Sequence, residues 1–300
     1  MEKPICLITG ATEGVGKATV IELARKGFAV VLAARNAEKA QAVKEEVVAS
    51  TANPDVDYII ADLRSLTQIR ELAETFRRRY PQLNVLINNA GIFAPARVMT
   101  EDGFETTYQV NYLSHFYLTH LLLDELRKSG EGRIINLSSS VYVAGKFDVN
   151  NLQSEKRFST FGAYSDSKLL MLLFTIELAE RLKGTGVTAN AVHPGVVRTQ
   201  MMLRAPGVFR LIAYLALPFA LSPQKGAATS VYLASSAEVK DVSGRYFTRC
   251  RATTFKTTFN TPNNRNLLWD LSMESLQHAA PQPVGSASSA QRSAAGHHRS

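Results

Sequence analysis

The chain has 300 residues, 45% of them apolar, which is enough to bury a substantial core and still compatible with a single α/β domain. Its 34 Lys and Arg outnumber its 26 Asp and Glu for a formal charge of +8, but the basic residues are scattered beside acids. The one dense run, Arg77-Arg78-Arg79, ends a predicted helix, where cations favour the macrodipole, so nucleic acid is not an expected partner and the surplus charge suits anionic phosphates or lipid headgroups.

Cys6 and Cys250 are the only cysteines, with no Cys-x-x-Cys and no Cys/His cluster, so neither a disulfide framework nor a metal site is expected. The first apolar run, Ile5-Cys6-Leu7-Ile8, is too short for a signal or a membrane span. A reducing, cytoplasmic location is expected, with peripheral contact to a membrane surface left open.

Along the chain, strand-like runs at Ile5–Thr9, Ala29–Ala33, Val56–Ala61, Val85–Asn88, Arg133–Leu137 and Val187–Val192 are each followed by ten or more residues of helical spacing. The runs are apolar on both faces. This rhythm predicts an α/β fold, a Rossmann-like doubly wound parallel sheet with helices on both faces, as a single domain over residues 1–276.

After the first strand, Thr9-Gly10-Ala11-Thr12-Glu13-Gly14-Val15-Gly16 leads into a helix predicted over Lys17–Lys26. Glycines here permit a tight turn and a close backbone approach to a pyrophosphate on the helix N–H groups, which makes Gly10, Thr12, Gly14, Val15 and Gly16 candidate dinucleotide contacts. Strand–helix turns also use glycine for steric reasons alone. The second strand ends Ala33-Ala34-Arg35-Asn36, with no carboxylate for a ribose 2′-hydroxyl and an arginine in reach of a 2′-phosphate, which favours NADP(H) over NAD(H). Glu13 argues the other way. After the third strand, Asp62-Leu63 suits an adenine edge, and Asp62 equally suits a helix N-terminal acid.

Further on, Tyr164-Ser165-Asp166-Ser167-Lys168 places Tyr164 and Lys168 on one face of a helix predicted from Gly162 to Lys183. An adjacent ammonium favours the phenolate and lowers a tyrosine pKa towards neutrality. The same helix carries Leu169-Leu170-Met171-Leu172-Leu173-Phe174, apolar nearly all round; burial within one chain and contact with a second copy in a homodimer both fit. The stretch from Gly207 to Leu221 is the most apolar in the chain, yet Arg210 and Pro218 interrupt it below spanning length. It is expected to be a lid over a lipophilic substrate that also touches a membrane surface, with an ordinary buried helix as the alternative. Ser222-Pro223 starts the next helix. From Gln277 to Ser300 the composition turns to Ala, Ser, Gln, Pro, Gly and His, and a disordered tail is expected.

Gly10/Gly14/Gly16, Asn88-Asn89-Ala90-Gly91, Asn111, Ser139, Tyr164-x-x-x-Lys168 and Pro194-Gly195-x-Val197-x-Thr199 occur in this order in one chain. Together they resemble the short-chain dehydrogenase/reductase family from about Lys3 to Leu276. The resemblance implies that Asn89, Ala90 and Gly91 line the adenosine side of a nicotinamide cofactor and that Pro194, Gly195, Val197 and Thr199 cover the nicotinamide. It further implies Tyr164 as general acid/base, Lys168 on the nicotinamide ribose, Ser139 on the substrate oxygen, and Asn111 positioning a proton-relay water. Ser139 is chosen among Ser138, Ser139 and Ser140 because Leu152-Gln153-Ser154-Glu155-Lys156-Arg157 resembles an insert of the retinol dehydrogenase-like branch. In that branch the second serine of the pair stands 25 residues before the tyrosine, as Ser139 does here. Leu178–Leu182, His193–Thr199, Ser243–Phe247 and Leu268–Ser272 resemble that branch too. Ser140-Val141-Tyr142 departs from its Ala-His, and the membrane anchor usual in the branch is not seen at the N-terminus.

The expected activity is hydride transfer between NADP(H) and a carbonyl or alcohol on a lipophilic substrate. A cofactor-binding redox sensor or scaffold is the alternative, as is an enzyme of the same fold acting on a polar substrate. His193 is expected to be structural, and Tyr142 lines a pocket or packs.

Overall fold

The structure is a computed structural model and describes residues 3–198 and 220–279. Thr199, the tail from 280 onward and nearly all of the 207–221 segment lie outside the described residues, so the lid reading is outside them as well.

The centre is one eight-stranded sheet in the order β3-β2-β1-β4-β5-β6-β7-β8. Its strands are β1 (Ile5–Thr9), β2 (Ala29–Ala34), β3 (Val56–Ile60), β4 (Val85–Asn88), β5 (Arg133–Leu137), β6 (Thr188–His193), β7 (Tyr246–Thr248) and β8 (Arg251–Thr253). Every pairing is parallel except β7 with β8. The first six are the strands legible in the sequence. The last two are new, three residues each, too short to show alternation and defined by their pairing: Tyr246 to Thr248 run beside Ala191 to His193, and Arg251 to Thr253 fold back on them.

Both sheet faces are covered, as the two-sided apolar strands require. One layer holds α1 (Gly14–Arg25), α2 (Ala37–Thr51) and α8 (Pro223–Ser235), packed on Cys6, Ile8, Val30 and Leu32. The other holds α3 (Leu66–Arg79), α5 (Ser114–Leu121), α7 (Thr160–Arg181) and α9 (Pro262–Ala279), packed on Ile5, Leu7 and Val31. Alternate residues of β1 therefore feed opposite cores. Short α4 (Thr106–Tyr108) and α6 (Leu123–Lys128) flank α5. Helix α1 begins three residues before the predicted start, so Gly14 and Gly16 already belong to its first turn.

Helix α7 is capped by Ser159, whose side chain accepts the Gly162 N–H, and Leu169 to Phe174 are all buried. Its outer face is covered by α9. Trp269 packs edge-on to Phe116 with centroids 5.0 Å apart and lies against Phe174, and Tyr112 Oη meets Ser272 Oγ at 2.7 Å. Burial within one chain thus accounts for the apolar run Leu169 to Phe174. Helix α9 continues to Ala279, beyond the expected start of the tail at Gln277.

A largely buried ion cluster fixes the clasp. Glu177 on α7 accepts from Arg181 Nε at 2.8 Å and pairs with Arg265 Nε of α9 at 3.5 Å, while the Arg181 guanidinium stacks on Trp269. Glu177→Ala leaves Arg265 without its counter-charge and should cost about 3 kcal/mol in urea denaturation, whereas Glu177→Gln should cost less. An Ala variant as stable as the parent would show that apolar packing alone docks α9.

Candidate active site

The chain runs outward through β1, β2 and β3 and then returns to β4 beside β1, so the carboxyl ends of β1 and β4 border a crevice at the reversal of strand order. Gly10 turns there with φ +63°, and a Cβ on it would stand 2.7 Å from Ala90 Cα. On Gly16 a Cβ would stand 2.2 Å from the Gly10 carbonyl oxygen. Asn89 ties the turn down by donating Nδ2 to the Thr9 and Gly10 carbonyls at 2.8 and 2.9 Å. Glu13 occupies the cap position of α1 without bonding its first-turn N–H groups. Thr12, Gly14 and Val15 complete the loop. These tight backbone approaches and the uncapped helix start fit a pyrophosphate.

Thr9 joins the two strands at this point. Its Oγ1 accepts the backbone N–H groups of Asn89 and Ala90, each at 3.0 Å, and lies 3.0 Å from His115 Nε2. With both N–H groups aimed at it, the hydroxyl proton goes to Nε2, which places the ring proton on Nδ1, 3.3 Å from the Asn111 carbonyl. Burial, and then the charge of Lys168, push the His115 pKa down to about 3, so the neutral ring persists. Sequence reading missed this pair. His115 stands four residues after Asn111, but nothing in the sequence links it to Thr9.

At the end of β2, Arg35 is exposed and Asn36 caps α2 by accepting Lys39 N–H at 2.8 Å. One strand over, Asp62 is neither free nor the helix cap, since Ser65 caps α3. Its carboxylate accepts from Arg64 Nε at 3.0 Å and Nη2 at 2.6 Å and from the Arg64 backbone N–H at 2.9 Å. Burial works to raise the Asp62 pKa, but the Arg64 bonds, with the charges of Arg64 and Arg35, outweigh it and hold the carboxyl below its usual range. Arg64, absent from the sequence reading, thus neutralises the acid nearest Arg35. Leu63 is buried, and its carbonyl accepts Ser114 Oγ at 2.6 Å.

The three serines after β5 separate clearly. Ser138 is buried and donates to the Lys168 carbonyl at 2.8 Å, Ser139 hydrogen bonds Tyr164, and Ser140 is exposed with its N–H on His193 Nδ1. Lys168 is buried, donates Nζ to the Leu137 carbonyl at 3.1 Å and lies over the Tyr164 ring at 5.5 Å; burial pushes its pKa down to about 8. The expected lowering of the Tyr164 pKa is not found. Burial pushes it up to about 12, against the Ser139 bond. Phe93 packs edge-on against Tyr164 with centroids 5.2 Å apart.

Asn111 is buried in a π-helical stretch, Gln109–Leu113. Its side chain accepts Ile92 N–H at 2.7 Å and donates to the Ile92 carbonyl and Ser167 Oγ, both at 3.0 Å, so it clamps the loop after Gly91 to α7. Past β6, Gly195 turns with φ +88° and Val197 is buried, while Arg198 N–H bonds the Leu221 carbonyl and Leu221 N–H the Val196 carbonyl. Tyr142 packs against Tyr246 and Phe255, and its hydroxyl accepts Lys256 N–H at 3.2 Å.

Thr9→Val keeps the shape of the side chain but removes the acceptor of the Ala90 N–H and the partner of His115 Nε2, while the Asn89 N–H keeps the Ile87 carbonyl at 3.0 Å, so it should cost about 1–3 kcal/mol in denaturant unfolding, with Thr9→Ser close to the parent. Equal stability of Val and Ser variants would remove the junction from its assigned role.

The profile of the short chain dehydrogenase family matches residues 4–206. The chain is 42% identical to retinol dehydrogenase 12 of Mus musculus, over 91% of this chain and 86% of that protein. It is 45% identical to retinol dehydrogenase 13 of Mus musculus, over 80% and 74%. A solved structure of an uncharacterized protein from Mycobacterium paratuberculosis superimposes with a TM-score of 0.72 at 30% identity, covering 91% of this chain and 93% of that one. A short chain dehydrogenase from Shigella flexneri complexed with NADP superimposes with a TM-score of 0.66 at 25% identity, covering 84% and 98%. With the glycine loop, the sheet order and the Ser139, Tyr164 and Lys168 group in place, the chain belongs to the short chain dehydrogenase family, in its retinol dehydrogenase-like branch.

Proposed function

We propose that the protein is an NADP(H)-dependent oxidoreductase that interconverts a carbonyl and an alcohol on a lipophilic substrate. The carrying observation is the Tyr164 hydroxyl, bonded by Ser139 beside buried Lys168 at the carboxyl edge of the sheet. When bound, the nicotinamide supplies or takes the hydride. Gly10, Thr12, Gly14, Val15, Gly16, Asn89, Ala90 and Gly91 would hold the pyrophosphate and adenosine, Asp62 and Leu63 the adenine, and Lys168 and Tyr164 the ribose. Pro194, Gly195, Val197 and Thr199 would cover the nicotinamide.

In this reading the Tyr164 hydroxyl, protonated at neutral pH, gives its proton to the substrate oxygen while Ser139 orients that oxygen. Asn111 acts as a positioning residue through Ile92 and Ser167. The preference for NADP(H) rests on Arg35, on the lack of a carboxylate at Ala34, and on neutralisation of Asp62 by Arg64. Apolar Phe93, Val143 and Val196 support a lipophilic substrate, the last two being 71% and 53% exposed. The names of the relatives point to retinoid alcohols and aldehydes. No helix among the described residues is long and apolar enough to cross a membrane. No observation favours a redox sensor or scaffold.

NADPH should bind more tightly than NADH in fluorescence titration, and Arg35→Ala should erode the difference by about tenfold through the lost charge-assisted bond. Equal affinities in the parent would overturn the cofactor assignment. Tyr164→Phe should keep cofactor affinity and lose about 10²–10⁴ of turnover on a panel of retinoid, steroid and aliphatic carbonyls. For carbonyl reduction, kcat/KM should hold near neutral pH and fall as pH rises through about 8, where Lys168 loses its proton, while Tyr164 remains protonated up to about 12. A profile without that fall would separate Lys168 from catalysis.

A further inference from the structure

Beyond the tyrosine group, the carboxyl ends of β6 and β7 and the start of α8 border an open cavity of about 460 Å3 that Tyr164, Ser139 and Lys168 do not line. Its polar wall consists of His193, the exposed Lys225 and Arg249, and Thr229, with Thr248 beside them, and no Asp or Glu among the described residues joins them. Pro194, Val196 and Leu221 form an apolar wall.

Each polar side chain is left as a donor. His193 Nδ1 accepts the Ser140 N–H at 3.2 Å, which leaves the ring proton on Nε2. Burial, and then the charge of Arg249, hold the His193 pKa below its usual value, consistent with that neutral tautomer. Thr229 Oγ1 accepts the Cys250 N–H at 3.1 Å, so its hydroxyl proton is available to a ligand. The Lys225 ammonium and the Arg249 guanidinium make no hydrogen bond or ion pair among the described residues. Arg249 is held there by its hairpin: Arg249 and Cys250 both take left-handed backbone, φ 49° and 59°, in the turn from β7 to β8.

Two cations without counter-charges, a hydroxyl and an imidazole N–H facing one space call for an oxyanion, and the opposite apolar wall calls for a chain attached to it. We propose that this cavity binds an amphipathic oxyanion, a carboxylate or phosphate carried on an apolar chain. The cavity shares Pro194 and Gly195 with the stretch proposed to cover the nicotinamide, but Tyr164, Ser139 and Lys168 do not line it, and its cations belong to neither group.

The test is isothermal titration of the whole chain with decanoate, decyl phosphate, decanol and inorganic phosphate. Decanoate or decyl phosphate should bind saturably, and decanol about tenfold more weakly or not at all. Arg249→Met and, on the surface of α8, Lys225→Met should each weaken the binding about tenfold while leaving NADPH affinity unchanged. The second variant covers the case in which the first disturbs the hairpin. Decanol binding as well as decanoate, phosphate binding in place of both chain-bearing anions, or parental decanoate affinity in both folded variants would overturn the proposal. A free carboxylate source and a phosphorylated one are told apart by which of the two decyl ligands binds more tightly.

Discussion

A parallel sheet whose strand order reverses between β1 and β4 must bring two backbone turns together where neither strand can satisfy the other's N–H groups. Thr9 resolves this with one hydroxyl. It takes the N–H groups of Asn89 and Ala90, and it hands its own proton to a histidine that reaches the Asn111 carbonyl. The glycine loop, the loop after β4 and the π-helical turn are thereby referred to a single point. Asn89 and Asn111 extend the tie, the first to the glycine loop, the second to Ile92 and α7. The separation between the glycine turn and the tyrosine helix is therefore tied by hydrogen bonds among buried and part-buried groups.

The electrostatics of the crevice divide along the same line. At the ends of β2 and β3, Arg64 pairs with Asp62 and Arg35 stands exposed beside them. On the side of the tyrosine group the ionisable residues are pushed towards neutrality: burial raises Tyr164, lowers Lys168 and lowers His115. A phenol raised this way is a proton donor at neutral pH, which suits reduction of a carbonyl better than abstraction of a proton from an alcohol. Lys168 lies over the ring, 5.5 Å from its centroid.

The first six strands and the glycine loop were legible because each is a local pattern, and the Tyr164–Lys168 pair because four-residue spacing is itself a statement about a helix face. The choice of Ser139 came from resemblance, and the structure adds a physical distinction: Ser138 is committed to the Lys168 carbonyl. What was not legible is non-local. Strands β7 and β8 exist through pairing with β6, the Thr9–His115 contact joins residues 106 apart, and the clasp of α9 over α7 depends on Glu177 meeting Arg265. The apolar run of α7 showed that something must cover it, and only tertiary structure showed that α9 does. The direction of the Tyr164 shift was misread because spacing shows the neighbouring ammonium but not the burial of the phenol, and burial decides it.

That clasp also sets an order of events during synthesis. Tyr112 finds its hydroxyl partner in Ser272, 160 residues later, and Phe116 and Phe174 wait for Trp269. Until the last helix emerges from the ribosome, the aromatic face of α5 and α7 stays open to water, even though every strand of the sheet has already been made. The nascent chain thus carries its most adhesive surface through nearly the whole of translation, and holdases that recognise exposed aromatic side chains have their longest opportunity on this one face.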